Sequence, residues 1–209
     1  MARCVIIGAA NIENYTRTKS YLQGDDFCIF CDGGLKHQEI LGIKPDLIIG
    51  DFDSYSKKNA LSQGIETIVL PCEKDDTDTV FAVKEGLKRG FSDFLLLGVI
   101  GQRLDHTLGN VSVLLMLDDA GKSGTIVDDY SEMHIVGQQP AYIEESFSYF
   151  SVLNISGKAR GIRIDGAKYP LENAEIACEY QYGISNEVLP GGRAEVSVAE
   201  GRLLLIKVF

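Results

Sequence analysis

The sequence predicts an α/β protein in two parts. Residues 1–130 read as a three-layer α/β/α domain with a mainly parallel sheet, and residues 131–209 as an all-β sandwich. Three observations carry this. Up to about Asp129, short apolar runs alternate strictly with helical patterns, which calls for a parallel sheet with right-handed crossovers. Gly24, Gly42, Gly64, Gly90 and Gly121 follow the helical patterns as C-terminal stops. Past Asp129 no helical period survives, and short segments of alternating polarity are separated by turn signals such as Pro190-Gly191-Gly192 and Glu200-Gly201.

In chain order, the first domain offers strands at residues 3–7, 27–31, 46–49, 66–70, 93–97 and 125–128. Leu47-Ile48-Ile49 is typical of them, an unbroken apolar run suited to a strand covered on both faces. Helical patterns lie between, over residues 15–22, 35–41, 57–63, 77–89 and 105–120. The second domain offers strands at residues 132–136, 149–155, 161–164, 174–180, 194–198 and 203–208. With 209 residues the chain can bury ample core in either part.

Composition narrows the partners. A formal charge of −10 argues against nucleic acid and anionic membranes, which call for basic patches. An acidic protein that handles polyphosphate needs a metal and a few well-placed cations, and its field suits a cationic second substrate. Cys4-Val5-Ile6-Ile7-Gly8 is too short an apolar run for a signal peptide, and no run approaches a membrane span, so a cytoplasmic protein is expected. Five cysteines form no disulfide framework. Cys28 and Cys31 fall on opposite faces of one strand, without the second pair a zinc site needs, and all five are expected reduced.

Four loops that follow strands have compositions unsuited to mere connectors. Asp32-Gly33-Gly34 combines a carboxylate with paired glycines, suited to a tight turn or to close approach of a phosphate or base. Asp51 and Asp53 follow Gly50 at a strand end, where α/β sheets bind their ligands. Two such carboxylates stay in water or share a cation, and oxygen-only ligands point to Mg²⁺; Asp53 or Ser54 is alternatively a helix cap. Lys74-Asp75-Asp76-Thr77-Asp78 crowds three acids at a helix start. Asp75 is a candidate N-cap with Asp78 completing a capping box, yet one capping acid suffices, and the surplus again suggests a cation. In Gly101-Gln102-Arg103-Leu104-Asp105-His106, Arg103 offers a planar fork for phosphate oxygens, Asp105 a cap, and His106 either a phosphate contact or a packed ring.

Two motifs are set aside. Gly121-Lys122-Ser123 lacks the earlier glycine of a P-loop and follows a helix instead of opening one. No G-x-G-x-x-G follows the first strand, so a dinucleotide site of the usual kind is unsupported.

Taken in order, Asp32-Gly33-Gly34, Gly50-Asp51-Phe52-Asp53-Ser54, Lys74-Asp75-Asp76-Thr77-Asp78 and Gly101–His106 resemble the thiamine pyrophosphokinase family. Gly166-Ala167-Lys168-Tyr169-Pro170-Leu171 and Gly183-Ile184-Ser185-Asn186-Glu187 extend the resemblance into the β domain. It implies transfer of the diphosphate of ATP to the hydroxyl of thiamine, leaving AMP, in a homodimer whose β domain completes the thiamine site of the other subunit. It implies that Asp51, Asp53 and Asp78 hold Mg²⁺ and polyphosphate, and that Thr77, Arg103 and Asp105 contact nucleotide or phosphate. Asp32 and Gly33 would lie near the nucleotide, with Lys74 and His106 among the substrate contacts. Tyr169 would stack on thiamine with Ser185 and Asn186 as polar neighbours, in a position where some family members carry Trp.

Two other readings compete. In a haloacid-dehalogenase-like phosphohydrolase, Asp51 would be the nucleophile, but that motif usually follows the first strand of its domain and here follows the third. A non-catalytic nucleotide-sensing module would need fewer acidic loops than this chain carries.

Overall fold

Among the described residues of the N-terminal part, six strands run parallel to their neighbours, in the order β6-β5-β1-β2-β3-β4. They are β1 (Cys4–Ile7), β2 (Phe27–Cys31), β3 (Leu47–Gly50), β4 (Glu66–Val69), β5 (Asp93–Leu97) and β6 (Ser123–Val127). The computed structural model describes residues 2–52 and 64–209, which divide into compact units at Asp129/Tyr130. β1 and β3 are buried at every residue, so both faces are covered and their sequences stay apolar without alternation. β4, at the sheet edge, is only half buried.

Helices α1 (Tyr15–Ser20), α2 (Gln38–Leu41), α3 (Asp78–Lys88) and α4 (Leu104–Asp119) occupy the expected connections. A 3₁₀ turn over Asp32–His37 replaces the first part of the second expected helix. The pattern over residues 57–63 lies outside the described residues. Gly42 ends α2 in the left-handed conformation glycine favours, with φ of 73°. Gly24 ends nothing: α1 stops at Ser20 with Tyr21 as its C-cap. The cap of α3 is Thr77, whose hydroxyl accepts from the Val80 N–H at 3.3 Å, so the expectation for Asp75 is corrected by two residues. Threonine takes the role because it sits immediately before the first helical residue, in extended backbone.

The second unit holds two antiparallel sheets, β12-β9-β14-β7 and β11-β10-β13-β8. The strands are β7 (Ser131–Val136), β8 (Ala141–Glu144), β9 (Tyr149–Leu153), β10 (Lys158–Asp165), β11 (Leu171–Ala177), β12 (Gly183–Asn186), β13 (Arg193–Ser197) and β14 (Leu203–Val208). One core joins the two sheets, with Phe150, Val152 and Leu205 from the first meeting Ile162, Ile164 and Val196 from the second. Burial alternates along β8 and most of β10, as a half-covered sheet requires. β8 and β12 have no counterpart among the expected strands.

Candidate active site

The end of β3 delivers Gly50, Asp51 and Phe52 to the carboxyl edge of the parallel sheet. Asp32, at the same edge after β2, is buried and reaches across to them. Its Oδ2 accepts from the Phe52 N–H at 3.0 Å, and its Oδ1 accepts from the N–H of Gly33. A Cβ at Gly50 would lie 2.6 Å from the Asp32 Cβ, so glycine is required where these two loops cross. Phe52, with φ of 59°, holds a left-handed conformation that a bulky residue avoids. Burial raises the Asp32 pKa above the usual carboxylate value, and Asp78 and Asp51 push it further in that direction.

Lys74 joins the two acidic loops. Its Nζ lies 2.7 Å from Asp51 Oδ2 and 2.8 Å from Asp78 Oδ1, with all three side chains largely shielded from solvent. Burial opposes the Lys74 charge, but the two carboxylates outweigh it and raise its pKa. Toward Asp51 the contact is a well-directed hydrogen bond; toward Asp78 the ammonium is as close but poorly directed, and Asp78 Oδ1 is buried with no other donor. Asp76 turns away to Lys84 and Asp75 is exposed, so one acid of the crowded three enters the cluster. Asp53, expected as the third ligand, lies outside the described residues, as does Ser54.

Among the described residues no group of three or more His, Cys, Asp or Glu side chains is arranged to hold a metal ion. The chemistry of the cluster nevertheless fits a hard divalent cation. Mg²⁺ takes one or two protein carboxylates and fills its remaining positions with water and phosphate. A buried carboxylate oxygen poorly served by its one donor, facing a second carboxylate across a shared positive charge, is the donor set such an ion uses.

Arg103 stands apart from this cluster. It follows β5, which β1 and β2 separate from β3, about 14 Å at ordinary strand spacing. It is exposed and pairs with Asp105, whose pKa its guanidinium holds well below the carboxylate range. Asp105 therefore lies in the first turn of α4 as the partner of Arg103; Arg103 occupies the N-cap position without a side-chain cap bond. His106 is exposed, which removes the packed-ring reading. The loop itself is held by Asn110, whose buried Nδ2 donates to the Val99 carbonyl at 2.7 Å, and by the Thr107 hydroxyl on Gly101.

The loop after β1 lies at the same edge, with no motif to mark it. Strand order reverses between β1 and β5, and in open α/β sheets that crevice receives the ligand. Gly8 and Gly98 meet there with no room for side chains: a Cβ on Gly8 would lie 2.5 Å from the Gly98 carbonyl oxygen. Lys36 donates to the Ala9 carbonyl at 2.6 Å, and buried His37 bridges the Ala10 carbonyl and the Tyr15 hydroxyl. Gly33 and Gly34 press against Ala9 and Ile7 of this segment, so close packing accounts for the paired glycines. Gly8-Ala9-Ala10 matches no glycine fingerprint, and only the strand order marks the loop.

In the β unit, Tyr169 is 57% exposed and offers its ring to solvent beside Lys168 Nζ, 5.6 Å from the ring centre. Its backbone is clamped by the buried Asn186, whose Oδ1 accepts from the Tyr169 N–H at 3.0 Å and whose Nδ2 donates to the Tyr169 carbonyl at 2.8 Å. The same Oδ1 accepts from Glu187 N–H, so this amide is spent on backbone and positions Tyr169. Ser185 is exposed in a left-handed conformation, φ 58°, with its N–H on the Ser151 hydroxyl.

Carboxylates gathered at the carboxyl edge of a parallel sheet, sharing one cation, belong to the class of α/β enzymes that handle phosphate through a divalent ion. The comparisons with known proteins are specific. The thiamin pyrophosphokinase catalytic domain matches residues 18–125, and the thiamin pyrophosphokinase vitamin B1 binding domain matches residues 139–203. The chain belongs to the thiamin pyrophosphokinase family and is an enzyme of the kinase type. A thiamine pyrophosphokinase of Bacillus subtilis (strain 168) is 29% identical over 171 residues, 79% of either chain. The crystal structure of thiamine pyrophosphokinase from Bacillus subtilis has a TM-score of 0.86 at 24% identity, covering 100% of this chain and 99% of that one. The structure of thiamin pyrophosphokinase from Geobacillus thermodenitrificans has a TM-score of 0.83 at 26% identity, covering 100% and 98%. The phosphohydrolase and sensor readings are not favoured by any of these. No helix among the described residues is long and apolar enough to cross a membrane.

Proposed function

We propose that this chain transfers the diphosphate of ATP to the hydroxyl of thiamine, giving thiamine diphosphate and AMP. The observation that carries the reading is the convergence of Asp51 and Asp78, from separate loops, on one positive charge at the sheet's carboxyl edge. Asp51 and Asp78, joined by Asp53, are the residues to hold Mg²⁺. When bound, that ion offsets the repulsion between triphosphate and acidic edge.

The protein's own work is placement. The thiamine oxygen attacks the β-phosphorus, the bond from that phosphorus to the α–β bridging oxygen breaks, and AMP departs with the electron pair. The hydroxyl proton passes to a carboxylate, Asp53 or Asp78. Arg103, kept charged and oriented by Asp105, stands ready to meet phosphate oxygens as negative charge develops. Thr77 fixes the start of α3 and so the Asp78 carboxylate, with Asp32, Gly33, Lys74 and His106 around the nucleotide. Tyr169, anchored by Asn186 next to Ser185, provides an aromatic face for the cationic thiazolium. A homodimer, each β unit completing the thiamine site of the other subunit, and a cytoplasmic location belong to the same proposal.

The test is purified protein with ATP, Mg²⁺ and thiamine, with products resolved by chromatography. AMP and thiamine diphosphate formed in equal amounts are expected. Release of inorganic phosphate without dependence on thiamine overturns the proposal.

A further inference from the structure

Family chemistry gives Asp51 and Asp78 a cation to hold; the chain also supplies one of its own. We propose that Lys74 is a tethered counter-ion, which keeps these two carboxylates facing each other while the site is empty and is displaced when a divalent cation enters. The proposal rests on Asp51 and Asp78 being metal ligands.

Asp51 follows β3, whereas Lys74 and Asp78 flank the start of α3, and a single ammonium at 2.7 and 2.8 Å brings both carboxylates into one geometry. Asp32 stands behind them, near enough for the other two to raise its pKa. Without Lys74, the partly buried Asp51 and Asp78 carboxylates would repel each other, and the loops would part. The ammonium is nevertheless an imperfect occupant. It has three donors, yet it meets Asp78 Oδ1 at an unfavourable angle, and that buried oxygen has no other donor. A metal ion accepts lone pairs from any direction and suffers no such mismatch.

Charge also favours the exchange. With Lys74 in place Asp51 and Asp78 retain a surplus of one negative charge; replacing one positive charge by two removes it. Lysine suits the role because its ammonium is a compact charge on a flexible four-carbon stem, able to withdraw a few ångströms. Once displaced, it lies beside the incoming ion, where a phosphate oxygen is its natural partner. Lys74 therefore weakens metal binding by the free protein and favours entry of metal together with an anionic ligand.

The test measures Mn²⁺ binding to the full chain without nucleotide or thiamine, from the electron paramagnetic resonance signal of free Mn²⁺. Lys74→Gln is expected to bind Mn²⁺ about tenfold more tightly than the unaltered protein, a change of about 1.4 kcal/mol. Asp78→Asn is expected to bind at least about tenfold more weakly. Thermal melting gives a second reading: Lys74→Gln, or Lys74→Met where the first does not fold, melts lower in chelator and gains more from Mn²⁺ than the unaltered protein. Unchanged or weaker binding by the Lys74 variants, with Asp78→Asn weakened, overturns the counter-ion proposal and leaves the metal site standing. Full Mn²⁺ affinity in Asp78→Asn overturns both.

Discussion

Asp32 and Asn186 are buried polar residues next to strand ends, one in each unit, and their surroundings treat them in opposite ways. Asn186 is neutral and committed at both ends of its amide, to Tyr169 and Glu187. Asp32 holds two backbone N–H groups but is an acid whose pKa burial and its neighbours Asp78 and Asp51 raise. A satisfied amide adds rigidity where an exposed ring is to be presented. Crowded carboxylates cost stability, and a chain keeps them where they gain from a charged ligand. The α/β unit thus concentrates charge chemistry, and the β unit presents a shaped surface.

Substitutions sharpen this contrast. The largest effect is expected for Asp78→Asn: kcat/KM falls about 10²–10³-fold, in the range for removing a group that stabilises transition-state charge, while the protein stays folded. Steady-state kinetics with circular dichroism checks it; a collapse of the fold with normal activity in what remains would make Asp78 a helix residue only. Next comes Asn186→Ala, which strands the Tyr169 and Glu187 backbone groups and destabilises by about 1–3 kcal/mol in urea titration. KM for thiamine should rise with it while KM for ATP holds.

Tyr169→Ala reverses that pattern. Being exposed, it should shift stability by no more than about 0.5 kcal/mol. It should raise thiamine KM about fivefold to tenfold through loss of a cation–π contact worth about 1 kcal/mol. Equal changes in the KM of both substrates would break the division between units.

The smallest effect concerns His37, whose pKa burial lowers below its ordinary 6.5. The unfolded chain then binds the proton more readily, so the stability His37 contributes is present above pH 6.5 and is lost as pH falls through the folded value. Melting temperatures between pH 7 and 5 should decline less steeply in His37→Leu than in the unaltered protein.

Much of the fold was legible because the buried strands of a parallel sheet advertise themselves: Leu47-Ile48-Ile49 and Phe94-Leu95-Leu96-Leu97 leave little alternative. β8 and β12 were not, for different reasons. Ala141–Glu144 alternates correctly but is too short to rise above its polar flanks, and Gly183–Asn186 carries a left-handed Ser185 and a register shift that no strand template includes. In the site, acidic residues placed after strands pointed to the right edge of the sheet. Their pairing did not follow, because Lys74 meets Asp51 across 23 residues of sequence, and nothing local announces that contact. The same limit hid the role of Asn186, since a polar residue beside a candidate site reads alike whether it faces ligand or backbone.

Phe52 carries a consequence for how the acidic edge can be altered. Its backbone torsion is one that most side chains resist at a cost of about 1–2 kcal/mol, and the Asp32 carboxylate is what fastens its N–H there. The residue after Asp51 is thus a cocked joint with its catch on the turn that follows another strand. Substituting Asp32 would let the joint relax and turn the neighbouring acid aside, disarming the edge with Asp51 itself unchanged.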